Sequence, residues 1–305
     1  MQNIKRVTEE ARDQLYASGA ADPSRQTLTL VPTHTGLPYY IDEEGIFWRC
    51  YLFIEGARTY DIVENESQAR ESARAFGAFQ RLVANLPGGR LNETIPNFHN
   101  TRSRFEKLRF AVIKDDMKRV KHVQPEWDFA QRREEIVDRL INLQIQGKIP
   151  ERITHNDTKL NNVMIDEITG AGICVVDLDT VMPGLVLYDF GDMVRTATSP
   201  AAEDEKDLSK VQMRMPMFEA LVDGYLTSTK DFLTEDEISE LAFSSKIITL
   251  EIGIRFLTDY LEGDVYFKTK YPDHNLDRCR TQFALVKSIE DQFKKMEACV
   301  RKKAK

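Results

Sequence analysis

Residues 153–192 read ITHNDTKLNNVMIDEITGAGICVVDLDTVMPGLVLYDFGD. Two runs rich in β-branched residues, 153–154 and 173–176, each lead into a loop that carries carboxylates and amides. A rigid strand that ends in a polar loop is a common way for a fold to present reactive groups. We therefore interpret this stretch as an active site, around which the rest of the chain is organised.

The spacing of the polar residues in this stretch predicts phosphoryl transfer. Asp157 is followed two residues later by Lys159 and five residues later by Asn162, and Asp177 comes after the next strand pattern. Phosphoryl transfer needs a carboxylate that accepts the proton of the attacking hydroxyl, oxygen ligands for Mg²⁺, and a cation for the developing charge. We assign Asp157 as the base and Lys159 as the cation. Asn162 and Asp177 are the predicted Mg²⁺ ligands, because magnesium needs only one or two protein oxygens beside the phosphates.

Two neighbours of these residues have weaker assignments. His155 is expected to hydrogen-bond the backbone near the loop, which is a structural role, although its ordinary pKa range would suit proton transfer. Asp179 lies two positions after Asp177, so an extended segment would point both carboxylates the same way. Asp179 is therefore either a supporting residue or a bridging metal ligand.

The motifs HNDTKLNN at 155–162 and VVDLDT at 175–180 together resemble the catalytic loop and the metal-binding segment of the aminoglycoside phosphotransferase and choline kinase superfamily. Within it, VDLDTVMPG at 176–184 and RFLTDYLEGDVYF at 255–267 are most similar to the N-acetylhexosamine 1-kinases. The resemblance implies an α+β, protein-kinase-like two-lobe fold with ATP and Mg²⁺ as cofactors. It also implies transfer of phosphate to the anomeric hydroxyl of an N-acetylhexosamine, a small-molecule sugar substrate.

The resemblance further implies roles outside the catalytic loop. Arg255 and Tyr266 match positions that contact the sugar in the hexosamine kinases. An aspartate in a Tyr-Asp-apolar segment supports the catalytic loop in this superfamily. That assigns Asp189 to support, although it opens a literal Asp-Phe-Gly tripeptide, and its role as a metal ligand is the lesser alternative. The backbone of a hinge would receive the adenine ring, and the hinge residues would be Phe53, Ile54, Glu55 and Gly56.

The order of local patterns predicts the domain organisation. Residues 3–17 form an amphipathic helix, and three strand patterns at 27–32, 37–41 and 46–54 follow, the last two joined by an acidic turn at 42–45. The remainder is mostly helical, with a single helix at 127–145 and a long helix that a capping box at Thr234 and Glu237 opens and that ends near Gly263. We expect residues 1–57 to be the remainder of a small N-terminal lobe and residues 58–305 to be a large C-terminal lobe. The resembling kinases place strands and a glycine-containing phosphate-covering loop before the first helix. Because the sequence has no such segment, we expect the small lobe to be N-terminally shortened.

Composition excludes several other classes of protein. A hydrophobic content of 42% and a charged content of 30% are typical of a globular protein, and the net charge of −7 argues against a broad nucleic-acid-binding face. The four cysteines include no Cys-x-x-Cys pair, so neither a zinc site nor a disulfide framework is indicated. No apolar run approaches a membrane span. We expect a cytoplasmic protein with no membrane partner, as a monomer or weak oligomer.

Several alternative functions stay open at this point. A sister small-molecule kinase of the aminoglycoside, choline or homoserine type would use the same loop. A binding or regulatory remnant would bind nucleotide or sugar without transfer, since the phosphate-covering loop is lacking. A hydrolase built on Asp157, Asp177 and Asp179 would leave Lys159 and Asn162 unexplained. A protein kinase is disfavoured because no activation-loop pattern follows Asp177.

Overall fold

Nine α-helices and nine short β-strands follow one another along residues 1–305 of the computed structural model. The chain divides into two compact units. The first contains residues 1–95, 151–189 and 220–233, and the second contains residues 96–150, 190–219 and 234–305. The expected lobe boundary after residue 57 does not coincide with this division. The expected boundary refers to the two lobes of a kinase, and it stays a prediction.

The first unit opens on α1, Gln2–Ala17, which confirms the predicted amphipathic helix. Its buried face includes Ile4, Val7, Ala11 and Leu15, at the spacing that puts side chains on one side of a helix. A second helix, α2, spans Glu66–Val83. It begins at Asn65, whose side chain accepts the N–H of Gln68 as an N-cap.

The strands between these helices are shorter than the sequence patterns predict. Two antiparallel pairs form, β1 with β4 and β2 with β3. Asp42 closes the second pair, since its Oδ1 accepts the N–H groups of Glu44 and Ile46, which confirms the predicted acidic turn. A two-stranded ribbon has few neighbours to extend its ladder, so each strand stops after two residues. These strands are β1 Leu30–Val31, β2 Tyr40–Ile41, β3 Phe47–Trp48, β4 Cys50–Tyr51 and β5 Ala57–Arg58.

Four more strands hold the two ends of the catalytic stretch. An antiparallel sheet orders β5-β7-β8, and its register pairs Val163 with Val175. A separate antiparallel pair, β6 with β9, sets Thr154 opposite Met182. The loop at 155–162 therefore starts and ends in paired strands. These strands are β6 Arg152–Thr154, β7 Val163–Asp166, β8 Gly172–Val175 and β9 Met182–Gly184.

The second unit is built from helices. Two further helices, α6 Val186–Ala197 and α7 Met215–Thr229, have residues in both units. The prediction of a single helix at 127–145 is wrong, because a 3₁₀ turn at Glu134–Ile136 separates two helices there. The interruption brings both Glu134 and Asp138 onto the guanidinium of Arg102. The helices of this unit are α3 Thr101–Lys114, α4 Gln124–Gln131, α5 Arg139–Ile145, α8 Glu235–Glu262 and α9 His274–Lys303.

The long helix α8 has the boundaries that its sequence predicts. Thr234 and Glu237 form a capping box, and Gly263 ends the helix at a φ of 100°. Gly253, midway along α8, lies against Phe283 of α9, where a Cβ atom would approach the ring to 2.6 Å. Glycine therefore lets these two helices pack closely. None of the helices has both the length and the hydropathy that crossing a membrane requires.

The capping box gives a direct test of how α8 is stabilised. Thr234→Ala removes the acceptor for the N–H of Glu237 and should lower the free energy of unfolding by about 1 kcal/mol. Urea denaturation followed by circular dichroism measures the change. Thr59→Ala is the matched control, since Thr59 is exposed and makes no hydrogen bond. Equal midpoints for the two variants would contradict the capping role.

Candidate active site

The carboxylate of Asp189 anchors the predicted catalytic loop. Asp189 is fully buried and accepts the backbone N–H groups of His155 at 2.9 Å and Asn156 at 2.7 Å. The side-chain amide of Gln80 on α2 donates to the same carboxylate at 2.6 Å. The hydroxyl of Thr158 donates to the backbone carbonyl of Asp189 at 2.7 Å. Three hydrogen bonds thus fix the start of the loop to Asp189, and a fourth joins Asp189 to α2.

The protonation of Asp189 reflects two opposing effects. Burial raises its pKa, because a low-dielectric interior disfavours the charged form. The N–H groups of His155, Asn156 and Gln80 oppose that effect, since each donates to the ionised carboxylate. A protonated carboxyl would present an O–H where a donor already points. We therefore describe Asp189 as an ionised anchor.

His155 has a structural position in the loop. Its Nδ1 accepts the N–H of Asp157 at 3.3 Å, so its Nε2 carries the proton that bonds the carbonyl of Val176 at 2.9 Å. The ring lies edge-on against Phe76 and Phe79 of α2. Both ring nitrogens are therefore used by the backbone, as the structural assignment of His155 requires.

Asn156 turns the chain between the anchor and the base. Its φ of 67° lies in the left-handed region, which asparagine adopts more readily than most residues. The Asn156 amide donates to the carbonyl of Thr180 at 2.9 Å, and the Thr180 hydroxyl donates to the carbonyl of His155 at 2.7 Å. These bonds join the loop to the turn that carries Asp177 and Asp179.

The Asp157 carboxylate has one occupied and one open oxygen. Lys159 Nζ lies 2.9 Å from Oδ2, and the Asn162 amide donates to the same Oδ2 at 3.2 Å and to the Asp157 carbonyl at 2.8 Å. The other oxygen, Oδ1, accepts no hydrogen bond from the protein. The Asp157 side chain is 31% exposed, so a hydroxyl can approach this oxygen. The structure thus brings together the predicted base, the predicted cation and one predicted metal ligand.

The remaining predicted metal ligand lies at the same end of the β7–β8 hairpin. The N–H of Val176 donates to the carbonyl of Asn162 at 2.9 Å, which sets Asn162 beside the residue before Asp177. Asp177 has a φ of 58°, is exposed, and makes no hydrogen bond or ion pair with the protein. No group of three or more His, Cys, Asp or Glu side chains is placed to hold a metal.

This donor set fits a magnesium ion that is completed by phosphates and water. The Asn162 amide nitrogen is used by Asp157, so its Oδ1 is directed elsewhere and accepts no hydrogen bond. Asn162 Oδ1 and the Asp177 carboxylate therefore offer oxygen ligands that no protein group occupies. Mg²⁺ prefers oxygen ligands and needs only one or two of them from the protein.

Asp179 forms an ion pair that its spacing did not predict. Both of its carboxylate oxygens accept from Arg49, the residue between β3 and β4, and the Nη2–Oδ2 distance is 2.8 Å. The Arg49 guanidinium lowers the pKa of Asp179, and Asp179 in turn raises the pKa of Arg49. In this structure Asp179 therefore anchors the turn at 177–180 to the strand segment, and Asp177 is the carboxylate without a protein partner.

The predicted hinge has open backbone groups at its first two residues. The carbonyl of Glu55 accepts from Arg25 at 3.1 Å, and the carbonyl of Gly56 accepts the N–H of Glu167 at 3.0 Å. Neither backbone group of Phe53 makes a hydrogen bond in the protein, nor does the N–H of Ile54, whereas the Ile54 carbonyl closes the turn at residues 55–56. Open groups of this kind are what an adenine ring would need, so Phe53 and Ile54 are the better-placed hinge residues.

The predicted substrate residues lie in the second unit. The Arg255 guanidinium carbon is 4.9 Å from the ring centre of Phe98, 5.8 Å from that of Tyr266 and 5.6 Å from that of Phe267. Arg255 makes no hydrogen bond or ion pair with the protein. An arginine held by aromatic rings with its N–H groups unused is a ready set of donors.

A second arginine lies beside this cluster. Arg104 donates to the carbonyl of Phe98 at 2.8 Å, and both burial and the nearby charge of Arg255 lower the pKa of Arg104. The two arginines and Tyr266 line one small cavity, of about 60 Å³. The two carboxylates that line it are already engaged. Asp259 accepts three backbone N–H groups from residues 265–267, and Glu262 pairs with Lys107 at 3.6 Å.

Sequence reasoning missed four residues of these sites: Arg49, Gln80, Asn156 and Arg104. Gln80 had a signal, because it is a polar residue on the apolar stripe of α2 and so needs a buried partner. Asn156 had a weaker one, as an asparagine in a short polar loop. For Arg49 and Arg104, neither helical or strand periodicity nor motif spacing indicated a role in a site.

Comparison with known proteins assigns the chain to a family. The model of the phosphotransferase enzyme family, APH, matches residues 10–216. The chain belongs to this phosphotransferase family. The resemblance read from the catalytic stretch is thus confirmed at the level of the family, and the acceptor that this phosphotransferase uses is a separate question.

Solved structures show the fold of this phosphotransferase. An aminoglycoside phosphotransferase from Alicyclobacillus acidocaldarius is 11% identical, with a TM-score of 0.61 over 99% of this chain and 84% of that chain. A choline/ethanolamine kinase family protein from Mesorhizobium loti is 13% identical, with a TM-score of 0.54 over 99% and 84%. A microcompartment-associated aminopropanol kinase is 14% identical, with a TM-score of 0.53 over 96% and 83%. The predicted α+β, kinase-like fold is confirmed.

The anchor at Asp189 has a measurable energetic role in the phosphotransferase. Asp189→Asn keeps the shape of the side chain but turns an NH₂ group toward backbone N–H donors. The free energy of unfolding should fall by about 2 to 4 kcal/mol, because a buried, hydrogen-bonded charge is lost while its donors remain. Asp291→Asn, an exposed change on α9, is the control. Denaturation midpoints that agree within error for the two variants would show that Asp189 is not an anchor.

Proposed function

We propose that this phosphotransferase is an ATP- and Mg²⁺-dependent kinase that phosphorylates the anomeric hydroxyl of an N-acetylhexosamine. The observation that carries the proposal is the Asp157 carboxylate. One of its oxygens is held by Lys159 and Asn162, and the other is open to an acceptor, on a loop fixed by buried Asp189. A general base needs this combination of a fixed position and an open oxygen.

The residues of the loop define a simple transfer step. Asp157 Oδ1 accepts the proton of the sugar hydroxyl as the sugar oxygen bonds to the γ-phosphorus and the bond from that phosphorus to the β–γ bridging oxygen breaks. Lys159 can leave Asp157 for the transferred group, because a lysine side chain is a mobile point charge. Asn162 and Asp177 would hold Mg²⁺, which would offset negative charge on the nucleotide phosphates. The products are the sugar 1-phosphate and ADP.

The charged groups around the small cavity that Arg104, Arg255 and Tyr266 line support a neutral acceptor over a cationic one. Arg255 makes no hydrogen bond or ion pair, and Arg104 donates only to a backbone carbonyl, although both lie within electrostatic reach of the buried Glu251 carboxylate. Asp259 and Glu262, the carboxylates of the same cavity, are already engaged. Aminoglycosides, choline and ethanolamine carry positive charge, and the carboxylates of this cavity already have protein partners, whereas the unused N–H groups of Arg255 suit acceptor oxygens. The hydroxyl and acetamido oxygens of an N-acetylhexosamine accept N–H groups, as the resemblance at residues 255–267 implies.

A panel of acceptors tests the proposal. With ATP and Mg²⁺, coupled detection of ADP should show turnover with N-acetylglucosamine or N-acetylgalactosamine and at least about tenfold lower kcat/KM with an aminoglycoside, choline or homoserine. Asp157→Asn should lower kcat by about 10²- to 10⁴-fold, the usual contribution of a general base. Asp61→Asn, at an exposed loop residue, is the matched control. Turnover of a cationic acceptor and of no hexosamine would assign the chain to a sister kinase.

The role of Arg255 is tested separately. Arg255→Met keeps apolar contact with the three rings but removes every donor, so KM for the sugar should rise by about tenfold or more while KM for ATP stays unchanged. Arg301→Met, on the exposed last turn of α9, controls for the loss of a positive charge. An unchanged KM for the sugar in Arg255→Met would remove Arg255 from the acceptor site.

A further inference from the structure

A second cavity, of about 730 Å³, lies within the first unit. Its walls are the C-terminal half of α1, the segment at 18–27, one face of α2, and the β7–β8 hairpin. None of the residues assigned above to the base, the metal, the hinge or the sugar lines it. The volume is in the range of small-molecule sites in proteins.

Small side chains keep this space open. Ala11 of α1 and Ala75 and Ala78 of α2 line the cavity, where larger side chains would fill it. Gly172 of β8 closes one side, since a Cβ atom there would come within 2.6 Å of the Glu71 carbonyl and 3.1 Å of the Ala75 Cβ. The hairpin therefore meets α2 at one edge, and the cavity opens beyond that contact.

The polar lining has more unused donors than unused acceptors. Arg25 Nε is buried and has no hydrogen-bond partner. Arg74 uses Nε and Nη2 on Glu71 and on the Gly172 carbonyl, which leaves Nη1 unused. The exposed side chain of Arg81 makes no hydrogen bond or ion pair. A ligand that satisfies these groups must carry several acceptor oxygens.

The carboxylates of the cavity do not satisfy these donors. Oδ1 of Asp166 accepts the N–H groups of Ile168 and Thr169 and the Thr169 hydroxyl, and its Oδ2 accepts from Arg25. These hydrogen bonds, those of Thr169 first, lower the pKa of Asp166 to about 2. Asp22 uses Oδ1 on the N–H and hydroxyl of Ser24. Asp22 thus serves its local turn, and Asp166 divides its oxygens between its own turn and Arg25.

We propose that this cavity is an effector site for a phosphorylated monosaccharide. The phosphate and hydroxyl oxygens of such a molecule would accept N–H groups from Arg25, Arg74 and Arg81. A nucleotide fits the lining less well, because Phe79 is the one aromatic residue there and its ring already lies against His155. No base would find a free ring to stack on.

The cavity is coupled to the hinge through Arg25. Its Nη2 donates both to Asp166 Oδ2 at 2.8 Å and to the carbonyl of Glu55 in the predicted hinge at 3.1 Å. The hairpin wall continues to the end that carries Asn162 and Asp177. A phosphate that competes for Arg25 would weaken its bond to Glu55, so occupancy of the cavity should change nucleotide affinity. This regulatory part rests on the proposed nucleotide site, whereas the binding site itself does not.

Binding is tested with glucose 6-phosphate as the probe, by isothermal titration of the full chain. We expect saturable binding, no binding of glucose, and retention of binding in Asp157→Asn, where the catalytic base is changed. Arg81→Gln should raise Kd by about fivefold or more, the loss of one charge-assisted contact. Arg301→Gln should not change Kd. The Arg81 side chain is exposed and makes no hydrogen bond or ion pair with the protein, so its replacement carries little risk to folding.

A blocking variant locates the site. Ala78→Phe places a ring in the cavity and should abolish binding of glucose 6-phosphate without lowering activity toward the sugar. Absence of saturable binding to the wild-type chain, or an unchanged Kd in both Arg81→Gln and Ala78→Phe, would overturn the proposal. Binding of ADP with and without the probe tests the coupling, and an unchanged Kd for ADP would overturn the regulatory part. Titration needs no turnover, so a failed kinase assay would not affect the binding result.

Discussion

The hydrogen bonds to the buried Asp189 carboxylate hold the site together. An isolated charge in a protein interior is strongly unfavourable, and here the N–H groups of His155, Asn156 and Gln80 offset that cost. The same bonds fix where the loop begins, and Asp157 follows directly. Every later feature of the loop depends on this start, including the bond from the Asn162 amide to Asp157. The fully buried Asp189 thus positions the predicted base, Asp157, without contacting a substrate.

The two ends of the β7–β8 hairpin have different partners. One end carries Asn162 and Asp177, whose side-chain oxygens are left to a ligand. The other end carries Asp166, whose oxygens are consumed by its own turn and by Arg25. Arg25 also bonds the Glu55 carbonyl, so the hinge, the effector cavity and the hairpin share one guanidinium. In the two proposals, the hairpin is a structural element common to the nucleotide site and the effector cavity, and the two sites share no binding residue.

Local sequence predicted the parts of the molecule that local interactions determine. The α1 helix, the turn at Asp42 and the capping box of α8 each depend on residues within a few positions, and each is confirmed. The spacing in the candidate catalytic loop indicated a phosphotransferase, and the family match confirms that level of the prediction. The break in the helix expected at 127–145 was not, because distant Arg102 recruits residues across the break. The pairs Arg49–Asp179 and Gln80–Asp189 join residues more than a hundred positions apart, where periodicity carries no information.

The central claim is that the open oxygen of Asp157 deprotonates a sugar hydroxyl for attack on a nucleotide phosphate. The most direct measurement is ³¹P nuclear magnetic resonance of the wild-type chain with ATP, Mg²⁺ and N-acetylglucosamine. We predict a new phosphomonoester signal coupled to the anomeric proton, with ADP in equal amount, and formation of both about 100-fold or more slower in Asp157→Asn. Inorganic phosphate as the only new signal would show hydrolysis in place of transfer. Unchanged ATP with every hexosamine supplied would contradict the account.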